Sequence, residues 1–349
     1  MIQEDRFLGL DLSTQSLTAV VISLSGGVTH QFSISFDHAY PSFHTRGGVL
    51  LGESSSEVFA DPRMWAQTLD DILTQLKDSN LTSSIRALGV SAQQHGTVYL
   101  KRTIEKSLEG LDPALPYHTQ VQHVFSRALS PVWMDSSTHE ECREISEAFG
   151  GPEALARLTG SIATERFAGP QIRKFWKRHP EEYEKTSHIA LVSSFLTSLL
   201  LGHVAPVDAG DGYGTNLADI RSGKWSEKAV AATAPGLMKR LPRLLAKDEL
   251  IGQVSPYLAN RFGFKSDTMV VVGSGDNPCS LVGLGLMGVA DIHAISLGTS
   301  DTYFGYMIDL EDRENMEGHI FGTAVAGSWL LCALRTEAWQ GRLSRIGMG

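Results

Sequence analysis

The sequence predicts an α/β protein of two domains. Three observations carry that expectation. Apolar runs with strand spacing alternate with helical patterns, a strand-and-polar-turn element near the start returns near the end, and 349 residues exceed what one compact core usually holds.

Residues 7–12, 17–24 and 30–36 read as strands. The short links Ser13-Thr14-Gln15-Ser16 and Gly26-Gly27 join them into an antiparallel meander. Asp61-Pro62 has the form of a helix start, with Asp at the cap and Pro at the first helical position. Trp65, Leu69, Ile72, Leu73 and Leu76 then recur at helical spacing and mark a buried face. Residues 85–91 read as a strand that delivers Gln93-Gln94-His95-Gly96 at its C-terminal end, where open α/β sheets bind ligands. The middle section reads as mainly helical, with Gly169-Pro170 opening one helix. Residues 189–201 are too short and too hydroxylated to span a bilayer and read as a buried helix. Residues 208–214 read as a Gly/Asp-rich loop, and Ser255-Pro256 as the start of a short helix ending at Gly263.

A domain boundary is expected near residue 265, dividing the chain into 1–265 and 266–349. Beyond it, 269–273 reads as a buried strand, 277–286 as a helix capped by Asn277 with Pro278 first, and 292–297 as a strand. The turn Gly298-Thr299-Ser300-Asp301-Thr302 follows and repeats the character of Asp11-Leu12-Ser13-Thr14. One such turn in each half suggests two related domains facing a phosphate chain.

Lys plus Arg is 30 and Asp plus Glu is 39, a formal charge of −9, which disfavours a nucleic-acid partner because counterion release needs a basic surface. Cys142, Cys279 and Cys332 form no disulfide framework and fit a reducing compartment. The first residues lack a basic segment followed by an apolar run. The expectation is a cytoplasmic protein with no membrane partner. No Walker-type loop, dinucleotide fingerprint or metal-cage spacing of Cys and His occurs.

Four elements can carry chemistry. Asp11 with Ser13 and Thr14 offers a carboxylate beside hydroxyls and free N–H groups, which suits phosphate and Mg²⁺; the same residues also make an ordinary hairpin turn. Gly298, Thr299 and Ser300 carry the same two readings. Asp276 stands where strand gives way to helix, either as a capping residue or as a general base for a sugar hydroxyl, with Asn277 able to hold a neighbouring hydroxyl. Gln93, Gln94 and His95 give donors and acceptors at a strand end, as a polyol taken from water requires, although a lone histidine there is often structural. Arg166 reads either as a surface charge or as a forked donor to that pocket.

In this order, these elements resemble the FGGY carbohydrate kinases, and within them the eukaryotic xylulose-kinase branch. The residues that carry the resemblance are Gly9-Leu10-Asp11-Leu12-Ser13-Thr14-Gln15, Ala92-Gln93-Gln94-His95-Gly96, Pro131-Val132-Trp133-Met134-Asp135-Ser136-Ser137, Glu165-Arg166-Phe167, Leu191-Val192-Ser193-Ser194-Phe195, Gly275-Asp276-Asn277-Pro278 and Ser296-Leu297-Gly298-Thr299-Ser300-Asp301-Thr302. The resemblance implies an actin/hexokinase-like (ribonuclease H-like) two-domain fold, with a sugar side at 1–265 and a nucleotide side at 266–349. It implies ATP-dependent phosphorylation of D-xylulose at O5 with Mg²⁺. It implies sugar contacts at His95, Arg166, Asp276 and Asn277, with Gln94 beside them. Asp276 stands in the position of the family's base and Asp11 in that of its metal-side carboxylate.

After Gly318-His319-Ile320-Phe321 the pattern departs. The family runs into a strand and a Lys-Asn-Gly turn, whereas here Leu330-Leu331-Cys332 leads to Ala333 through Trp339. The expectation is that the second domain is incomplete, that the adenosine site lies outside these residues, and that the chain alone turns over poorly. A non-catalytic sugar-binding protein keeping His95, Arg166, Asp276 and Asn277 is the second reading. An actin-like or chaperone-like ATPase is a third, disfavoured by the polar Gln93-Gln94-His95 segment. Oligomeric state cannot be read from the sequence.

Overall fold

The computed structural model describes residues 4–245, 250–289, 292–296, 301–310, 318–323 and 328–335. The strands Arg6–Leu12, Ser16–Ser23 and Val28–Ser35 form the expected antiparallel meander. Every second residue of the first two points inward, so Leu8, Leu10, Leu12, Leu17, Ala19 and Val21 are buried. The strand Ile85–Ala92 lies parallel to Arg6–Leu12 on its other side. Met269–Val271 and Ser274–Gly275 pair parallel to Ile85–Ala92 in turn, and Leu250–Gln253 closes the edge. This first sheet therefore extends past residue 265, to Gly275.

Helices pack on the sheet. Pro62–Asp78 starts where expected, with the Asp61 carboxylate accepting from the Arg63 amide, and buries Trp65, Leu69, Ile72, Leu73 and Leu76. Val192–Leu201 is buried along its whole length. Here the expectation needs correcting. The apolar run 189–201 is not one helix, because His188–Leu191 is a strand paired with Thr97–Leu100. A run buried on every side has no periodicity to separate strand from helix.

The segment 208–214 also differs from its expected loop. Asp208 ends the strand Val207–Asp208 and caps the short helix Ala209–Gly212, which runs into the 3₁₀ turn Tyr213–Thr215. All of it is buried. A second, antiparallel sheet orders His293–Ser296, Asp301–Met307, Trp329–Arg335 and His319–Gly322. Its strand His319–Gly322 packs on the buried helix Ala209–Gly212, and the Ile320 amide donates to the Gly160 carbonyl nearby at 3.1 Å. Among the described residues no helix is long and apolar enough to cross a membrane.

Candidate active site

Three parallel strands end side by side. Leu12 pairs with Ala92, and Gly275 pairs with Ala92 from the opposite side. Each then gives way to polar residues: Ser13 and Thr14, Gln94 and His95, Asp276 and Asn277. All six line one cavity of about 650 Å³, and Arg166 joins them from the turn before the helix Ala168–Arg178. The second sheet contributes the facing wall through Thr302, Phe304, His319, Phe321 and Cys332. Gln93 does not belong to this group; it is buried and lines no part of the cavity. The turn Gly298, Thr299 and Ser300 lies outside the described residues.

His95 adopts the left-handed conformation, with φ of 70°. A non-glycine residue there costs on the order of 1 kcal/mol and persists only when its surroundings hold it. Two contacts do so. The ring stacks on Phe167 at 4.4 Å between centroids, and Nδ1 lies 3.0 Å from the Gly214 carbonyl. A carbonyl only accepts, so Nδ1 carries the proton. Burial, and then the nearby Arg166 charge, hold the pKa well below the usual histidine value. The neutral ring thus keeps Nε2 as an acceptor for a hydroxyl. The approach at Gly214 is tight, since a Cβ there would meet the His95 ring at 3.1 Å and Phe321 at 3.0 Å.

Asp276 opens the helix Asp276–Gly283, with Gly275 as its cap. The expected Asn277 cap and Pro278 start are therefore displaced by two residues, because the helix takes Asp276 and Asn277 into its first turn. The Asp276 carboxyl meets the cavity on one side and protein on the others. Burial first, and the Asp11 charge second, push its pKa up to about 7. Its Oδ1 accepts from the Asn277 amide at 2.9 Å and from Asn277 Nδ2 at 3.3 Å. Asn277 Nδ2 also donates to Gln94 Oε1 at 2.8 Å, and Gln94 Nε2 to the Gly210 carbonyl at 3.3 Å. Asp11 accepts from the Ser91 hydroxyl at 2.6 Å through Oδ1.

The first turn is a hairpin whose end faces the cavity. The Ser13 hydroxyl closes the hairpin by donating to the Ser16 carbonyl at 3.1 Å, yet Ser13 and Thr14 still face the cavity. Arg166 is not a surface charge. Burial lowers its pKa, its Nη2 donates to His319 Nε2 at 3.4 Å, and its buried Nε has no partner among the described residues.

Reasoning from residue types missed Trp133, His319, Phe321 and Cys332. Trp133 lines the cavity and donates from Nε1 to the Thr14 hydroxyl at 2.8 Å. Asp135 fixes its loop by accepting from the Val58 amide at 3.0 Å and Gln171 Nε2 at 2.7 Å. A tryptophan beside Met, Asp and two serines was the available signal. Cys332 is a buried thiol pushed up to about 12, chiefly by burial, and so stays protonated.

Residues 125–283 match the FGGY family of carbohydrate kinases, N-terminal domain. The chain is 42% identical over 315 residues to the xylulose kinase of Mus musculus, covering 90% of this chain and 56% of that protein. It is 42% identical over 321 residues to xylulose kinase 2 of Arabidopsis thaliana, covering 91% and 57%. The chain thus spans little more than half the length of these relatives. The crystal structure of ligand-bound xylulose kinase from Lactobacillus acidophilus has the same fold at 15% identity, with a TM-score of 0.78 over 99% of this chain and 63% of that one. Over residues 125–283 the chain carries the N-terminal domain of the FGGY family of carbohydrate kinases.

Proposed function

We propose that this cavity holds a ketose, D-xylulose, and that Asp276 takes the proton from its O5 hydroxyl as that oxygen attacks the γ-phosphoryl of ATP. The observation that carries the reading is one carboxyl, held near neutrality by burial and by Asp11, within a ring of hydroxyl-binding groups: His95, Arg166, Asn277 and Gln94. A base is most effective when its pKa lies near the working pH, and such a group contributes ~10²–10⁴-fold. Asp276 would orient the hydroxyl and hold its proton, while neutral His95 accepts from another hydroxyl and Arg166 donates to a third. Ser13 and Thr14 would meet phosphate oxygens on one side; Gly298, Thr299 and Ser300 are proposed for the other. Residues 1–265 would form the sugar side, and residues 266–349 part of the nucleotide side.

Mg²⁺ fits the residues present. Asp11 and Asp276 are close enough for one charge to raise the other's pKa, a repulsion that a divalent cation would relieve. A hard cation of this kind is commonly held by one or two carboxylates with phosphate oxygens and water. Asp11 would hold it, and it would neutralise charge on the transferring phosphoryl.

Calorimetry with D-xylulose and a coupled ADP-release assay with D-xylulose, ATP and MgCl₂ test the proposal on the purified 349-residue chain. Heat of binding supports the sugar site; its absence, together with no ADP release, overturns it. Binding without ADP release favours the sugar-binding reading. Turnover in the kinase range of ~1–100 s⁻¹ would show that these residues suffice for catalysis.

A further inference from the structure

A run of hydrogen bonds returns on itself behind the sugar-facing residues. Asp208 Oδ2 accepts from the Ser274 hydroxyl at 2.6 Å and from the Gly210 amide at 3.0 Å. Asp208 Oδ1 accepts from the Asp211 amide at 3.0 Å. Gly210 presents its carbonyl to Gln94 Nε2, Gln94 presents Oε1 to Asn277 Nδ2, and Asn277 Nδ2 reaches Asp276 Oδ1. The peptide chain from Asp276 back to Ser274 closes the circuit. Two glycines allow close approach here. A Cβ on Gly210 would meet Ser274 Oγ at 2.5 Å, and one on Gly275 would meet the Gln94 side chain at 2.4 Å. The 3₁₀ turn that follows contains Gly214, whose carbonyl lies 3.0 Å from His95 Nδ1.

We infer that Asp208 is the positioning residue of this site: through the turn it caps and the Ser274 hydroxyl it accepts from, it holds the sugar-binding amides and the base as one unit. The inference rests on the functional reading given above. Asp208 is itself buried, is absent from the cavity lining and touches no bound sugar in this scheme. Its effect passes through two routes. One runs by backbone to Gly210 and Gly214, and so to Gln94 and His95. The other runs by Ser274 to the strand end that carries Asp276. Around Asp208 lie the Asp211 carboxyl, pushed well up by burial and by Asp208, and Ser193, which donates to Asp211 Oδ2. These pin the turn to the helix beneath it.

The two routes separate in experiment. Ser274→Ala removes one link and leaves the capped turn whole. It is expected to keep D-xylulose affinity within about threefold and to lower kcat about tenfold in a chain that turns over. Asp208→Asn weakens both routes, and the D-xylulose Kd is expected to rise at least tenfold. In ¹⁵N-histidine spectra of the unliganded protein, the His95 Nδ1–H resonance should shift in Asp208→Asn and stay in place in Ser274→Ala. A variant damaged only in overall stability would lose melting temperature without that spectral change. Asp208→Asn with unchanged Kd and an unmoved His95 resonance overturns the inference. If Asp208→Asn fails to fold, the Ser274→Ala and Gln94→Leu pair decides it in a chain that turns over: losses in kcat that multiply independently in the double variant overturn it, and losses smaller than the product support it. Absence of D-xylulose binding by the unaltered protein would instead count against the functional reading, and the His95 resonance would still report on Asp208.

Discussion

As the proposed base, Asp276 carries two predictions set by its environment. As a base it must be ionised, so kcat/KM of a complete, active protein should rise with pH through about 7 and then level off, measured by ADP release under subsaturating sugar. Asp276→Ala should lower kcat by ~10²–10⁴-fold while D-xylulose binding stays measurable by calorimetry; an unchanged kcat would remove the residue from its role. Stability has the opposite sign. The folded pKa lies above the unfolded carboxylate value of 3.8, so the proton favours the fold, and that contribution is lost as pH rises through about 7. Asp276→Asn should therefore raise the melting temperature of the ligand-free chain at pH 8 and leave it nearly unchanged at pH 4. Residue types alone announced a candidate base here. They could not announce its titration, because burial and the Asp11 charge come from packing.

At the scale of elements, local signals worked where local forces decide. Asp61-Pro62 opened its helix, Ser255-Pro256 opened another, and Gly263 ended it in the left-handed conformation. Asp61→Ala should cost about 1 kcal/mol, and Leu69→Ala, in the fully buried face of the same helix, ~2–5 kcal/mol, both read from urea midpoints. The segment after Asp208 failed because Asp and Gly serve loops and caps alike; only its burial beneath the second sheet shows which. The run 189–201 failed because Leu191 and Val192 separate strand from helix with no Gly or Pro between them. Gly214→Ala should lower D-xylulose affinity about tenfold with little loss of melting temperature, since the added methyl meets the His95 ring and Phe321.

For the molecule as a whole, the cavity is a product of both sheets. Ser13, Gln94, Trp133, Arg166, Asp276 and His319 are scattered over most of the chain and meet in one place. A sugar bound there should stabilise the chain by about 2.7 kcal/mol at a hundredfold excess over Kd, seen as a rise in melting temperature. The amino-acid order determined by itself the three strand ends, the polar residues set upon them and the family they resemble, since strand patterns and caps act over a few neighbouring residues. Tertiary structure alone decided that Arg166 is withdrawn from the surface, that Gln93 turns away from the cavity, and that Asp276 titrates near neutrality. It also made Asp208 the hub of a closed set of hydrogen bonds. Desolvation and charge–charge repulsion depend on which distant segments pack together, and neighbouring residue types do not encode that.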